Sequence, residues 1–282
     1  MIELDIAAGA GPRRVIIAAF DGWNDAADAA TSAVTHLAGA WDTRPLGQLE
    51  PDDYYDFQVN RPTVAVGTGT ARRIDWPATV LVECRPPGRT RDVVLIRGPE
   101  PNLRWRAYCA ELVEATRRLN TDLVILLGAL LADAPHTRPV PVSGTAGDAE
   151  TATLLRLDQS RYEGPTGIVG VLAEACADAG LPTVSLWAAV PHYAAQPPCP
   201  KATLALLRRV EDLLDVELPL GDLPEQARAW ERMVDELAES DSEVEEYVRS
   251  LESREPETEL PEASGDVIAM EFERYLRRNG GT

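Results

Sequence analysis

The chain has 282 residues, 45% of them hydrophobic and 26% charged, a balance that can bury a sizeable core and argues against a wholly disordered polymer. Its formal net charge of -19 would repel phosphate backbones and anionic lipid headgroups, so neither a nucleic acid nor a membrane surface is expected as a partner. The length exceeds that of a typical domain, and the patterns along the chain divide it into a core, residues 1–219, and a C-terminal helical subdomain, residues 220–282.

The opening MIELDIAAGAGPRRV carries early acids and no basic segment followed by an apolar run, and no later stretch approaches the length of a membrane span, so a cytoplasmic location is expected. Val15–Phe20 reads as a fully buried strand. Asp21-Gly22-Trp23-Asn24-Asp25 punctuates it before a helix that repeats Ala26, Ala29, Ala30, Ala33, Val34 and Leu37 on one face. Thr63–Val66, a turn at Gly67-Thr68-Gly69-Thr70, and Thr79–Val82 read as an antiparallel excursion.

Val93–Ile96 is a second buried strand, and it empties through Arg97-Gly98-Pro99-Glu100-Pro101-Asn102 into a helix with Trp105, Tyr108, Leu112, Ala115 and Leu119 inward. Leu123–Leu127 is the next strand, ending at Gly128 and running into Asp133, His136, Thr137 and Arg138. A helix over Gly167–Ala179 stops at Gly180 before the strand Thr183–Trp187, and Leu204, Leu207, Val210 and Leu214 mark the helix that follows. Buried runs alternating with amphipathic helices predict an α/β fold: a mostly parallel central sheet covered on both faces.

After Pro219 the pattern changes. Asp222 can cap a helix, and Leu223, Trp230, Leu237, Val244 and Leu251 recur every seven residues, with Met233 and Tyr247 between them. This predicts a short helical hairpin or an arm packed on the core or a neighbouring subunit. Residues 253–264 are acidic with two prolines and read as a linker, and residues 266–278 read as a final helix. The four cysteines, Cys84, Cys109, Cys176 and Cys199, form no CxxC pair and are expected to be buried free thiols.

Chemistry concentrates at the strand exits, where open α/β sheets keep their sites. Asp21, Asn24 and Asp25 sit where they can cap orphan helix amides or contact a polar ligand. Glu100 suits a general base if burial raises its pKa, and equally suits a turn that starts a helix; Arg97 and Asn102 flank it. His136 and His192 are expected near one sheet edge, but two histidines without a spaced third ligand predict no metal site. No GxSxG, P-loop or HExxH word is present, and no cofactor is expected. Lys201, close to a helix start, opposes the helix dipole there and so is expected to contact an anion or a carboxylate.

Three words, AAFDGWNDAADAA, the stretch from Val94 to Ala146 (VLIRGPEPNLRWRAYCAELV…TRPVPVSGTA) and SLWAAVPHYAAQPPCPKATLALL, resemble the PAC2 family of proteasome assembly chaperone 2-like proteins, in its actinobacterial type. The resemblance runs from Val15 to Leu214. It implies a three-layer α/β/α sandwich similar to the phosphorylase and hydrolase kind, protein partners with proteasome components among them, and a small homo-oligomer, a trimer included. Family members engage the proteasome through a C-terminal hydrophobic-tyrosine-any tail. This chain departs from that pattern, reading Arg278-Asn279-Gly280-Gly281-Thr282 with Tyr275 internal.

Two functions stay open. One is a non-enzymatic PAC2-type protein acting through protein–protein contacts. The other is a small-molecule-binding or hydrolase/phosphorylase-like enzyme with its site at the C-terminal ends of the strands, built from Asp21, Asn24, Asp25, Arg97, Glu100, Asn102, His136 and His192. If those eight side chains line one concave pocket the second reading gains; if they cap helices and face apart, the first does.

Overall fold

A computed structural model of the protein describes residues 14–66, 72–86 and 92–254. The turn expected at residues 67–70, nearly all of the acidic linker and the helix expected over residues 266–278 lie outside them. The backbone runs β1 (Arg14–Asp21), α1 (Ala29–Ala40), β2 (Asp42–Gln48), β3 (Thr63–Val66), β4 (Arg72–Asp75), β5 (Val80–Arg85), β6 (Asp92–Pro99) and α2 (Trp105–Arg118). It continues through β7 (Thr121–Ala132), β8 (Val142–Ala146), α3 (Ala149–Leu155), β9 (Asp158–Gln159), α4 (Ile168–Asp178), β10 (Thr183–Pro191), α5 (Pro200–Leu214), α6 (Leu223–Ser240) and α7 (Ser242–Glu252).

Eight strands form one sheet in the order β2-β5-β6-β1-β7-β10-β8-β9. The four central neighbours β6, β1, β7 and β10 are parallel, and their register sets Ile17 beside both Leu95 and Ile125. Antiparallel strands flank them, β5 against β6 on one side and β8 against β10 on the other. Buried runs on central parallel strands need apolar side chains on both faces, and the period of two sorts them. Val15, Ile17, Leu95, Ile125 and Leu186 point to a layer made by α1 and α5, while Ile16, Ala18, Ile96, Val124 and Leu126 point to α2 and α4. The molecule is therefore the three-layer α/β/α sandwich with a mostly parallel centre. All four cysteines are buried free thiols.

Three expectations are corrected. The first concerns β3, whose partner is β4 in a separate two-stranded ribbon, Val64 opposite Ile74, whereas Val80–Arg85 joins the main sheet between β2 and β6. Leu81 and Cys84 point to opposite faces of that strand, one into each helical layer, and both find cover in the main sheet. The second is the strand expected to end at Gly128, which continues to Ala132. The ring of Trp187 on β10 lies so close over Gly128 that a Cβ there would come within 2.6 Å of it, so glycine here makes room for an aromatic ring and not for a turn. Third, Asp222 takes the N-cap position of α6 as expected, but its carboxylate accepts from the Gln226 side-chain amide and from no backbone amide of the first turn.

The seven-residue spacing also resolves differently. Over α6 the buried positions are Leu223, Ala227, Trp230, Val234 and Ala238, a straight-helix stripe of 3.6 residues per turn, which rotates Leu237 out to solvent. That stripe packs on α5, and Leu223, Trp230 and Val234 extend the α1–α5 core. Asp241 ends α6 and starts α7, its Oδ1 accepting from Glu243 N at 3.0 Å and Val244 N at 3.4 Å.

Candidate functional site

Because β6, β1, β7 and β10 are parallel neighbours, their exits share one edge of the sheet, and the eight candidate residues do gather there. They do not converge on one cavity. They divide among separate tasks, each set by the element that follows its strand.

Beyond β1 the chain makes a 3₁₀ turn over Ala26–Asp28, with Ala27 and Asp28 in the left-handed region, before α1 begins. That turn brings Asp25 back over the first helical amides. Its Oδ1 accepts from Ala30 N at 2.6 Å and Thr31 N at 3.3 Å, and Oδ2 accepts from the Thr31 hydroxyl. Burial pushes the Asp25 carboxyl up to about 6, despite those donors. Asn24 serves the other layer: its Oδ1 accepts from Val169 N in the first turn of α4 at 3.0 Å. Gly167 is required there, since a Cβ would fall 2.2 Å from the Asn24 amide nitrogen.

Glu100 joins Asn24 at the same helix start, accepting from Ile168 N at 2.8 Å through Oε1. Its pKa is raised by burial, as a general base would need, but the carboxylate is occupied with capping α4. Asn102 holds a surface loop, its Oδ1 accepting from Asp56 N at 2.9 Å and Asn60 Nδ2 at 2.7 Å.

Asp21 and Arg97 are the two candidates that border a groove along α1. Arg97 donates to the Thr35 hydroxyl at 2.8 Å and lies 3.9 Å from Asp21 Oδ1. The groove is open and of about 620 Å³, with Thr31, Thr35 and His36 on its wall. Burial raises the Asp21 carboxyl in spite of the Arg97 charge.

The histidine loop does something else again. His136 is buried at 2% exposure, with Nδ1 2.8 Å from the Tyr193 hydroxyl and Nε2 2.9 Å from Asp235 Oδ1 on α6. Lys201 hydrogen-bonds the His136 carbonyl and pairs with Glu231 at 2.6 Å, the carboxylate contact its position predicts. Asp133 accepts from the Tyr247 hydroxyl on α7 at 2.6 Å and sits 3.7 Å from His192 Nε2. Thr137 and Arg138 reach Glu252. This loop fastens α6 and α7 to the sheet edge. Tyr193, Asp235 and Tyr247 were not legible as its partners, because they lie 57 to 114 residues away with no local spacing to mark them.

Among the described residues, no group of three or more His, Cys, Asp and Glu side chains is placed to hold a metal ion, and no helix is long and apolar enough to cross a membrane.

A mostly parallel α/β/α sandwich whose strand-exit polar groups mainly fasten helices is the class of protein that this architecture defines. The family model for the PAC2 family matches residues 19–238, and the chain belongs to that family. It is similar to a PAC2 family protein from Streptomyces avermitilis, 58% identical over 83% of this chain and 99% of that one, with a TM-score of 0.79. It is equally similar, at 58% identity, 83% and 99% coverage and a TM-score of 0.76, to a proteasome-assembly chaperone homologue of Mycobacterium tuberculosis. An archaeal proteasome activator, PbaB of Pyrococcus furiosus, shares the fold at 13% identity, 84% and 98% coverage and a TM-score of 0.65. No curated protein matches the chain.

Proposed function

We propose that this PAC2 protein works without catalysis, through protein–protein contacts, in a role like that of a proteasome-assembly chaperone. The observation that carries this reading is the use made of the strand-exit residues: Asn24, Asp25 and Glu100 cap helices, Asn102 holds a loop, and His136 and His192 serve the attachment of α6 and α7. Chemistry needs groups left free to meet a substrate, and these are committed to backbone amides and neighbouring side chains. The likeness to the mycobacterial chaperone homologue supports proteasome components as the partner class. In this reading residues 220–282 form an attached subdomain, and the protein resides in the cytoplasm. The test is binding of purified proteasome α and β subunits to the full chain by size-exclusion chromatography. Co-elution at micromolar concentration is expected, and its absence with assembled and unassembled subunits alike would sink the reading.

A second reading, a small-molecule site, is favoured by one observation: the open groove holding Asp21 and Arg97 at the carboxyl ends of β1 and β6. Inorganic phosphate and a purine nucleoside, each at millimolar concentration, should raise the unfolding midpoint if that site binds them. Unchanged midpoints, with Arg97→Ala behaving as wild type, would exclude it.

A further inference from the structure

Strand register puts Val64, Val66, Ile74 and Arg72 on one face of the β3–β4 ribbon, with Val64 opposite Ile74 and Val66 opposite Arg72. Val64, Val66 and Ile74 are exposed at 52%, 73% and 54%, and Trp76, the next residue on that side, at 50%. Arg73 and Asp75 pair with each other at 2.6 Å on the reverse face. Large apolar groups scatter singly over most surfaces, but four on one two-stranded ribbon form a patch of the kind that marks a contact. A ribbon of this size is also marginal by itself in water, so a cover stabilises it.

A segment that fits lies in the same chain. Beyond Arg254, where the described residues end, Ile268, Phe272, Tyr275 and Leu276 recur at the i, i+4, i+7, i+8 spacing of one helical stripe. At 100° per residue Glu271 and Glu273 border that stripe while Arg274 and Arg277 fall on the far side, so carboxylates edge the surface that would meet Arg72. A helix over residues 266–278 is too short to be stable alone in water, and each partner supplies the apolar surface the other lacks. Two other surfaces fit worse. The groove along α1 is walled by Asp21, Asp28, Ser32, Thr35 and Arg97, which give an apolar stripe little to bury against. The outward face of α6 shows Met233 and Leu237, but Glu236 stands beside Met233 and would meet Glu271 or Glu273.

The chain can reach. Arg254 sits at the exit of β7, its Nη1 3.7 Å from Asp133 Oδ2. The ribbon hangs from the start of β5, where Val80 pairs with Arg97 at the exit of β6, so both lie on the same rim of the sheet. From β7 through β1 and β6 to β5 is three strand spacings, about 14 Å, and the ribbon extends about 13 Å further. Residues 255–265 span up to about 36 Å when extended, and their four glutamates and two prolines favour extension. We infer that residues 266–278 fold back along this rim as a helix and lay the stripe of Ile268, Phe272, Tyr275 and Leu276 on the Val64, Val66, Ile74 and Trp76 face of the ribbon of the same chain. The contact closes an apolar surface within one protomer, and it holds whether or not a proteasome partner exists.

The experiment is hydrogen exchange read by mass spectrometry on the full chain and on two full-length variants, Val66→Asp with Ile74→Asp, and Phe272→Asp with Leu276→Asp. Amides of residues 266–278 should exchange about 10-fold or more slowly in the wild type than in the ribbon variant, and amides of β3 and β4 should exchange faster in the tail variant than in the wild type. Unchanged exchange in β1, β6 and β7 checks that each variant keeps its core. Should the ribbon variant fail to fold, the tail variant, which leaves residues 14–254 untouched, still reports through the ribbon amides. A cysteine pair gives a second reading, the four native thiols being buried. Val66→Cys with Phe272→Cys should close an intrachain disulfide under mild oxidation, whereas Phe272→Cys with Leu154→Cys, at a 77% exposed position on α3, should not. Residues 266–278 exchanging as fast in the wild type as in the ribbon variant would overturn the inference, and so would a disulfide that forms equally well at position 154. Protection of 266–278 that rises with concentration between about 1 and about 100 μM would also overturn it, because the segment would then sit on a second copy.

Discussion

The exits of β1 and β6 and those of β7 and β10 lie side by side on one sheet edge, yet they use their polar groups differently. The first pair turns inward. Asp25 holds the start of α1, and Asn24 and Glu100 together hold the start of α4, so both helical layers are tied to the sheet through backbone amides that would otherwise be orphaned. The second pair turns outward, meeting α6 and α7 through side chains: His136 with Asp235, Lys201 with Glu231, Asp133 with Tyr247. An amide cap in the core can be lost only with the helix it starts. A side-chain clasp on an added helix can open while the sandwich stays folded, which makes the second rim the natural place for a movable arm.

The comparison breaks most visibly if the first rim is cut. Asp25→Ala removes acceptors for two backbone amides and the Thr31 hydroxyl in a buried site, and should cost about 3–4 kcal/mol in urea unfolding, in one cooperative transition with no separate release of α6 and α7. Asp25→Asn keeps an acceptor and isolates the charge. The folded carboxyl titrates at about 6 against an unfolded value of 3.8, so the folded state holds its proton longer. Stability from this group is full at low pH and falls as pH rises from about 4 to about 6, by at most about 3 kcal/mol. The difference between wild-type and Asp25→Asn stability should drift by that amount across the window. A flat difference would mean that Asp25 stays ionised in the fold.

At the second rim, His136→Ala should cost about 2 kcal/mol and, more tellingly, speed tryptic cleavage at Arg228 and Arg232 before the core unfolds. If the chain instead resists trypsin until it unfolds as a whole, the two rims are one cooperative unit and the contrast fails.

Much of this was legible in advance. The central strands were written in uninterrupted apolar runs such as Val15–Phe20 and Leu123–Leu127, because strands buried on both faces have no polar positions to blur them. The edges were not: β2 carries Asp42, Thr43 and Arg44 exposed in succession, β9 is two residues long, and solvent-facing edge strands need no apolar code. At the site, sequence named the strand-exit residues but not their tasks. Asn24 reaches Val169 across 145 residues and His136 reaches Asp235 across 99, and local spacing carries no trace of either. Capping by Asp25 was visible because its partners are five and six residues on. The seven-residue run from Leu223 overstated a coiled-coil seam, since Leu237 and Ala238 exchange places once the helix is straight.

The smallest effect tests the clasp most cleanly. Lys201 donates to the His136 carbonyl and pairs with Glu231, with side-chain exposures of 14% and 36%. Lys201→Met keeps the aliphatic stem packed and leaves Glu231 able to reach water, so the change should cost about 1 kcal/mol or less. Glu231→Gln should cost no more, and the double variant should show a coupling of about 0.5–1 kcal/mol in a mutant cycle, shrinking as salt rises from 0.05 to about 0.5 M. A coupling of that size lets α6 detach and return. One above about 3 kcal/mol, unmoved by salt, would mean a desolvated pair that breaks only on unfolding, and α6 would then be as fixed to the sheet as α1 and α4 are.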